Sequence, residues 1–207
     1  MPRKSLMIAS VAAAALLLQG CAELGDIARA LTSLKRLQFR LDGVSDFTMA
    51  GVALGPKSQP ADFSVEDGVR LLAAFKERQL PARFLLNVEA RNPNDGTEGT
   101  TRTVSTLTRF DWRLLIDGKP TVSGGIDRAI EIPGSGQTTA LPLRVELDLY
   151  EFFGQGGYRD LLELALALGG RNGDIRRVAL EARPSVSTPL GEIAWPEPIT
   201  IVSHEFR

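Results

Sequence analysis

Reactive side chains are few in this chain of 207 residues, which has one cysteine, Cys21, and one histidine, His204. A Ser-His-Asp or Cys-His relay needs an imidazole that accepts and returns a proton. Any such relay would rest entirely on His204, close to the C-terminus, where a surface strand residue is the simpler reading. Paired carboxylates are the other route to acid-base work, and Glu89, Asp111 and Asp117 are the candidates. Strand carboxylates with arginine neighbours are usually a solvated sheet face. Gly154-Gln155-Gly156-Gly157 precedes a helical stretch but lacks the Lys-Ser/Thr pair of a phosphate-binding loop. No Asp/Asn/Gly run has calcium-loop spacing, and one cysteine with one histidine makes a poor metal set. These residues predict a protein that is not an enzyme, with no cofactor, no metal and no small-molecule substrate.

The chemistry that does stand out is at the N-terminus. Arg3 and Lys4 precede a 13-residue apolar run, Leu6 to Leu18, and small residues follow. That is the order of a secretory signal. As a helix the run covers roughly 20 Å against about 30 Å of hydrocarbon, too short to span a bilayer. Leu18-Gln19-Gly20-Cys21 follows directly and resembles the bacterial lipoprotein signal, in which the cysteine thiol takes a diacylglyceryl group. The resemblance implies cleavage after Gly20, lipidation of Cys21 and a membrane partner reached through the acyl chains. At ~0.8 kcal/mol per buried methylene, two or more chains make a lasting anchor. It also implies a cell-envelope location. In a Gram-negative host that would be the outer membrane facing the periplasm, because Ala22 stands where an inner-membrane retention signal places Asp.

Residues 1–20 are therefore read as a signal peptide, 21–36 as the lipidated cysteine with a tether, and 37–207 as the folded domain. The processed chain keeps 187 residues with 22 basic and 25 acidic side chains. That length can bury roughly 70% of its unfolded surface without disulfide or metal. The whole chain carries a formal charge of -1, which gives no positive field for nucleic acid. Within Ala22 to Leu37, Leu24, Ile27, Leu31, Leu34 and Leu37 recur at helical spacing. This amphipathic stretch either lies on the bilayer or docks on the domain.

From Leu37 the period changes from helical to two. Strands are predicted around Leu37–Leu41, Phe47–Val52, Phe84–Ala90, Phe110–Ile116, Leu141–Leu149, Val178–Ala182, Ile193–Trp195 and Ile199–Ile201, with a Gly-Val-Ser break after the first. Asp117-Gly118 reads as a tight hairpin turn. Gly124-Gly125 reads as a bulge that explains why Arg128 shares a parity with Ile126, Ile130 and Ile132. One wet and one dry face per strand predicts a mainly β protein, an antiparallel β-sandwich. Two helices interrupt it. Ser64 to Gln79 opens on an N-cap serine and spaces Val65, Val69, Leu72 and Phe75 on one face. Tyr158 to Leu168 is apolar on nearly every side, so it is either buried against the sandwich or a surface for a partner or lipid.

Phe84-Leu85-Leu86-Asn87-Val88-Glu89-Ala90-Arg91-Asn92-Pro93-Asn94 resembles the signature strand of the type-2 late embryogenesis abundant proteins, the WHy (water-stress and hypersensitive-response) domain. Phe110 to Gly118, Gly124-Gly125, Ile130-Glu131-Ile132-Pro133 and Leu141 to Leu149 continue the likeness. On the residues alone, Asn92-Pro93-Asn94 is turn architecture: Pro93 presets φ and Asn92 caps the turn. The resemblance implies an immunoglobulin- or fibronectin-III-like sandwich, with the two helices as insertions. It implies a lipid-anchored stress-protection protein of the envelope, active in desiccation, cold and water stress by non-covalent contact with protein clients or membrane. The alternative is an adaptor for an envelope assembly or transport complex, whose partner binds the Tyr158–Leu168 helix or an exposed sheet edge.

Overall fold

The computed structural model describes residues 32, 35–97, 102–171, 173–188 and 191–206. The signal segment, Cys21 and most of the Ala22–Leu37 stretch lie outside them. The alternating segments form ten strands. β1 (Gln38–Met49), β2 (Val52–Ala53), β3 (Pro81–Arg91) and β7 (Thr138–Asp148) make one antiparallel sheet in the order β2-β1-β3-β7. The second sheet runs β10-β8-β4-β5 and is built from β4 (Ser105–Ile116), β5 (Lys119–Gly124), β8 (Val178–Thr188) and β10 (Ile199–Ile201). Both of its edges are broken. β6 (Ile130–Ile132) continues the β5 edge along β4, and β9 (Gly191–Ala194) continues the β10 edge along β8.

The inner faces are the predicted ones. β3 buries Phe84, Leu86 and Val88, β7 buries Leu141, Leu143 and Val145, and β4 and β8 supply Phe110, Leu114, Leu180 and Ala182 against them. The result is an antiparallel β-sandwich, as the period-two pattern requires. Asp117 and Gly118 both hold positive φ, 51° and 73°, which a two-residue hairpin turn demands.

Three expectations are corrected. The Gly-Val-Ser segment does not break a strand, because β1 runs through it with irregularities between Leu41 and Gly43 and between Ser45 and Thr48. The Leu41 N–H, which regular alternation turns away from β3, donates to the Val202 carbonyl at 3.1 Å, which laces β1 to the tail after β10 on that side of the sandwich. His204 lies past β10 in a bend and not on a strand. The third concerns the first helix.

α1 (Val65–Lys76) begins where predicted. Ser64 and Asp67 form a reciprocal capping box, with the Asp67 N–H to Ser64 Oγ at 3.0 Å. The backbone N–H of Ser64 on its carboxylate holds Asp67 below the usual range. Three of the four residues of its predicted stripe, however, face water: Val65 and Val69 are 87% and 64% exposed, and Leu72 is exposed beside them, so that only Phe75 of the stripe packs. The docked side is Leu71 with Phe75, whose ring meets Tyr150 and Tyr158 edge-on at 5.3 and 5.5 Å.

The second predicted helix behaves in the opposite way. It spans Tyr158–Gly169, preceded by a short helix at Leu149–Phe153; we label the short one α2 and the longer one α3. Leu161, Leu162, Leu164, Leu166 and Leu168 are all buried. α3 closes the end of the sandwich at β1, where Gly169 sits so tightly on Phe47 that a Cβ would stand 2.2 Å from the ring. Asp148 ties this end together by accepting from the Leu80 and Tyr150 N–H groups, each at 2.8 Å.

Candidate functional site

The predicted reactive residues do not converge. Glu89 projects from the outer face of the first sheet and is paired across the strands with Arg40 at 2.5 Å. Asp111 projects from the outer face of the second sheet, 4.0 Å from Arg109, and Asp117 sits in the hairpin turn against Arg177. Two carboxylates on opposite outer faces cannot flank one bond. His204 is exposed and lies 3.6 Å from Glu205. The Gly154–Gly157 run is explained by packing, since a Cβ on Gly154 would meet the Tyr150 ring at 2.9 Å and one on Gly156 would meet the Asp160 carboxylate at 2.9 Å. Among the described residues no group of His, Cys, Asp or Glu side chains gathers as a metal site. No helix among them is long and apolar enough to cross a membrane.

Perturbed titration also marks architecture. Asp62, Asp95 and Asp174 are lowered by the hydrogen bonds with which they cap local turns, led by the Ser58 N–H, the Thr97 hydroxyl and the Arg176 guanidinium respectively. Tyr158 is raised by burial beneath Phe75 and its neighbours. None of these groups lines the cleft between β7 and the β5–β6 connection.

Asn92 and Asn94 are the buried polar pair of the chain's described residues, joined by Ser185. The Asn92 amide donates to Thr103 O at 2.9 Å, Ser105 Oγ at 3.2 Å and Ile132 O at 3.0 Å. Its Oδ1 accepts from the Asn94 N–H at 3.1 Å and the Asn94 amide at 2.9 Å. The turn-capping role read from the sequence is therefore present, and Asn92 in addition stitches β3 to the starts of β4 and the end of β6. A Cβ on Gly134 would lie 2.3 Å from Asn94 O, so this glycine is what lets the following turn close over the pair.

The feature that sequence reasoning missed is a cleft of about 760 Å³ between β7 and the connection from β5 to β6. Its apolar lining comes from Trp112, Val122, Ile126, Ile130 and Leu143, with Arg128, Arg144, Asp127 and Glu146 adding two charges of each sign. Trp112 lies directly opposite Gly124 in the β4–β5 register, and a Cβ on Gly124 would come within 2.5 Å of the indole. The missing side chain is the space the indole occupies. β5 ends at Gly124, so the Gly-Gly pair ends pairing and lets the chain swing away from β4 before β6 resumes. The sequence showed only the broken parity of Ile126 to Ile132, and the bulge read from it is corrected here to a break between two strands. We expect Gly124→Ala to displace the indole, changing the near-ultraviolet circular dichroism of Trp112 and lowering unfolding stability by about 1–3 kcal/mol.

Comparison with known proteins gives no matching family model and no matching curated protein. Similar solved structures include a candidate late embryogenesis abundant (LEA) protein, at 13% identity and a TM-score of 0.36, covering 97% of this chain and 86% of that one. A protein from Arabidopsis thaliana is similar at 14% identity and a TM-score of 0.37, covering 81% of this chain and 83% of that one. A protein from Archaeoglobus fulgidus is similar at 10% identity and a TM-score of 0.32, covering 61% of this chain and 81% of that one.

Proposed function

We propose that this chain is a lipid-anchored envelope protein that protects other molecules under water loss by non-covalent contact, without catalysis and without a cofactor. The observation that carries the reading is a sandwich whose outer faces are laced with arginine–carboxylate pairs: Arg40 with Glu89, Arg83 with Glu146, Arg109 with Glu192 and Arg113 with Glu181. Such a surface holds water and offers charges of both signs to a client, while each exposed pair adds little to the fold itself. The likeness of Phe84–Asn94 to the WHy signature strand supports the stress role, and Leu18-Gln19-Gly20-Cys21 supports the anchor. The test is the retained activity of a fragile enzyme after drying or freeze-thaw with the mature chain present, against an equal mass of an inert globular protein. Protection beyond that control is expected, and protection equal to it overturns the reading.

The anchor makes its own prediction. Cys21→Ser leaves no thiol to acylate, so the variant is expected to lose labelling by radioactive palmitate and to move from the membrane fraction to the soluble fraction. An adaptor role is the second reading. The Tyr158–Leu168 helix no longer supports it, because α3 is core. The observation that favours it is the sheet edge along β7, open beside the cleft.

A further inference from the structure

We propose that the free edge of β7, with the cleft beside it, is a strand-addition site for an extended peptide segment of a partner protein. This deepens the adaptor reading by naming its surface and the class of its partner. The two sides of the sandwich differ. On one, β1 is laced to the tail after β10 through Leu41 and Val202. On the other, β7 pairs only with β3 among the described residues, over eleven residues in unbroken register from Pro81–Asp148 to Arg91–Thr138. A long regular edge with unpaired N–H and C=O groups is a template for another strand.

Pro142 tells which groups are free. It sits inside β7 opposite Asn87 and has no N–H, and a proline within a paired strand places its nitrogen on the side away from the ladder. By the two-residue repeat, Ala140, Arg144 and Glu146 present their backbone N–H and C=O groups on that same side. These residues also line the cleft. Ala140 to Glu146 extends about 20 Å at about 3.3 Å per residue, so the edge and the apolar lining run alongside each other over several residues of an incoming strand. Alternate side chains of that strand would meet Ile126, Ile130 and Val122, and the others would face solvent near Arg144 and Glu146.

The polar chemistry of the cleft favours a peptide over a hydrocarbon chain. An acyl chain in the cleft would strip water from the β7 edge without replacing its hydrogen bonds, which costs free energy at each group. A peptide backbone supplies both acceptors and donors to the edge. Pro142 with the charged pair Arg144 and Glu146 guards the same edge against indiscriminate pairing.

The test uses the full acylated chain in neutral detergent and a panel of blocked nonapeptides that alternate Val, Leu or Ile with Thr, Ser or Lys. Hydrogen exchange over 138–148 and tryptophan emission are followed during titration. Members of the panel are expected to slow exchange at Ala140, Arg144 and Glu146 by about tenfold or more and to shift the emission. The same peptides N-methylated at alternate amides should lose about tenfold in affinity, since they cannot complete the ladder. Ile126→Thr should weaken binding about tenfold with only a small drop in the thermal midpoint, since Ile126 is half-buried against the core. Equal binding of the N-methylated peptides overturns the proposal. So does a response to palmitate with none to peptides, which makes the cleft an acyl site, or β7 protection that follows protein concentration alone, which makes the edge self-pairing. If no peptide binds but crosslinking from α1 in intact envelopes captures one defined partner, this site is wrong and the adaptor reading survives.

Discussion

Asn92→Asp is expected to destabilise the sandwich by about 3–5 kcal/mol at neutral pH, more than any change on its surface. The substitution keeps the size of the side chain and the acceptor that holds Asn94. It replaces the amide that faces Thr103 O, Ser105 Oγ and Ile132 O, so an anionic oxygen meets two carbonyl oxygens at about hydrogen-bond distance with no water between them. The energetic cost has two parts: acceptors left without a donor, and a charge held where nothing compensates it. The charge part is titratable. Burial and the facing carbonyls raise the folded-state pKa of the new carboxyl above its unfolded value of about 3.9. The folded variant then binds more protons than the unfolded chain, so its deficit relative to the parent is smallest below that unfolded value and grows as pH rises through it. Chemical denaturation of parent and variant at pH 3.5 and pH 7 measures this difference. A deficit independent of pH would mean that the carboxylate finds water in the folded state, and the account of Asn92 as a sealed stitch would fail.

That stitch also shows how much could be read from the chain. Asn92-Pro93-Asn94 announces a turn through residue types alone, because the Asn92 side chain caps its own backbone two residues on. The partners Thr103 and Ile132 are set by how β4 and β6 come together, and nothing local in the sequence names them. Strands were legible for the same reason: one wet and one dry face forces period two, and β3 and β7 follow it closely. Where a strand carries an irregularity, as β1 does between Leu41 and Gly43, pattern alone could not separate a break from a strand that bends and continues. α1 carries the stripe Val65-Val69-Leu72-Phe75 and, beside its Phe75 end, Leu71. Periodicity shows that the stripe exists, and only the tertiary contact with Tyr150 and Tyr158 decides which end of it docks. The cleft was beyond reach for a related reason, since it is made by a stretch that leaves its sheet after Gly124.

The double substitution Leu162→Asp and Leu166→Asp separates the two fates that the sequence left open for α3. As a partner surface, the helix would accept both aspartates and the isolated protein would stay folded. In the structure both leucines are buried, on a helix whose remaining apolar residues Leu161, Leu164, Ala165 and Leu168 are buried as well. The helix's charged residues include the exposed i,i+4 pair of Arg159 with Glu163 at 2.8 Å, which leaves no second polar face to rotate outward. Its end is fixed too, by Gly169 against Phe47, by Phe47 stacked on Phe84 at 4.9 Å, and by the Asp174 N–H on Ala167 O. A rigid-body shift that would expose the aspartates must therefore break the β1 end of the core. Each carboxylate loses its leucine's transfer energy and adds the cost of an unpaired buried charge, several kcal/mol together for each site. The pair approaches or exceeds the 5–15 kcal/mol that hold a typical domain together, so the expected result is loss of the cooperative thermal transition. Leu162→Ala alone should retain that transition at a lower midpoint, by about 2–5 kcal/mol of stability. A folded double variant with an unchanged midpoint would return α3 to the surface and revive it as the partner site.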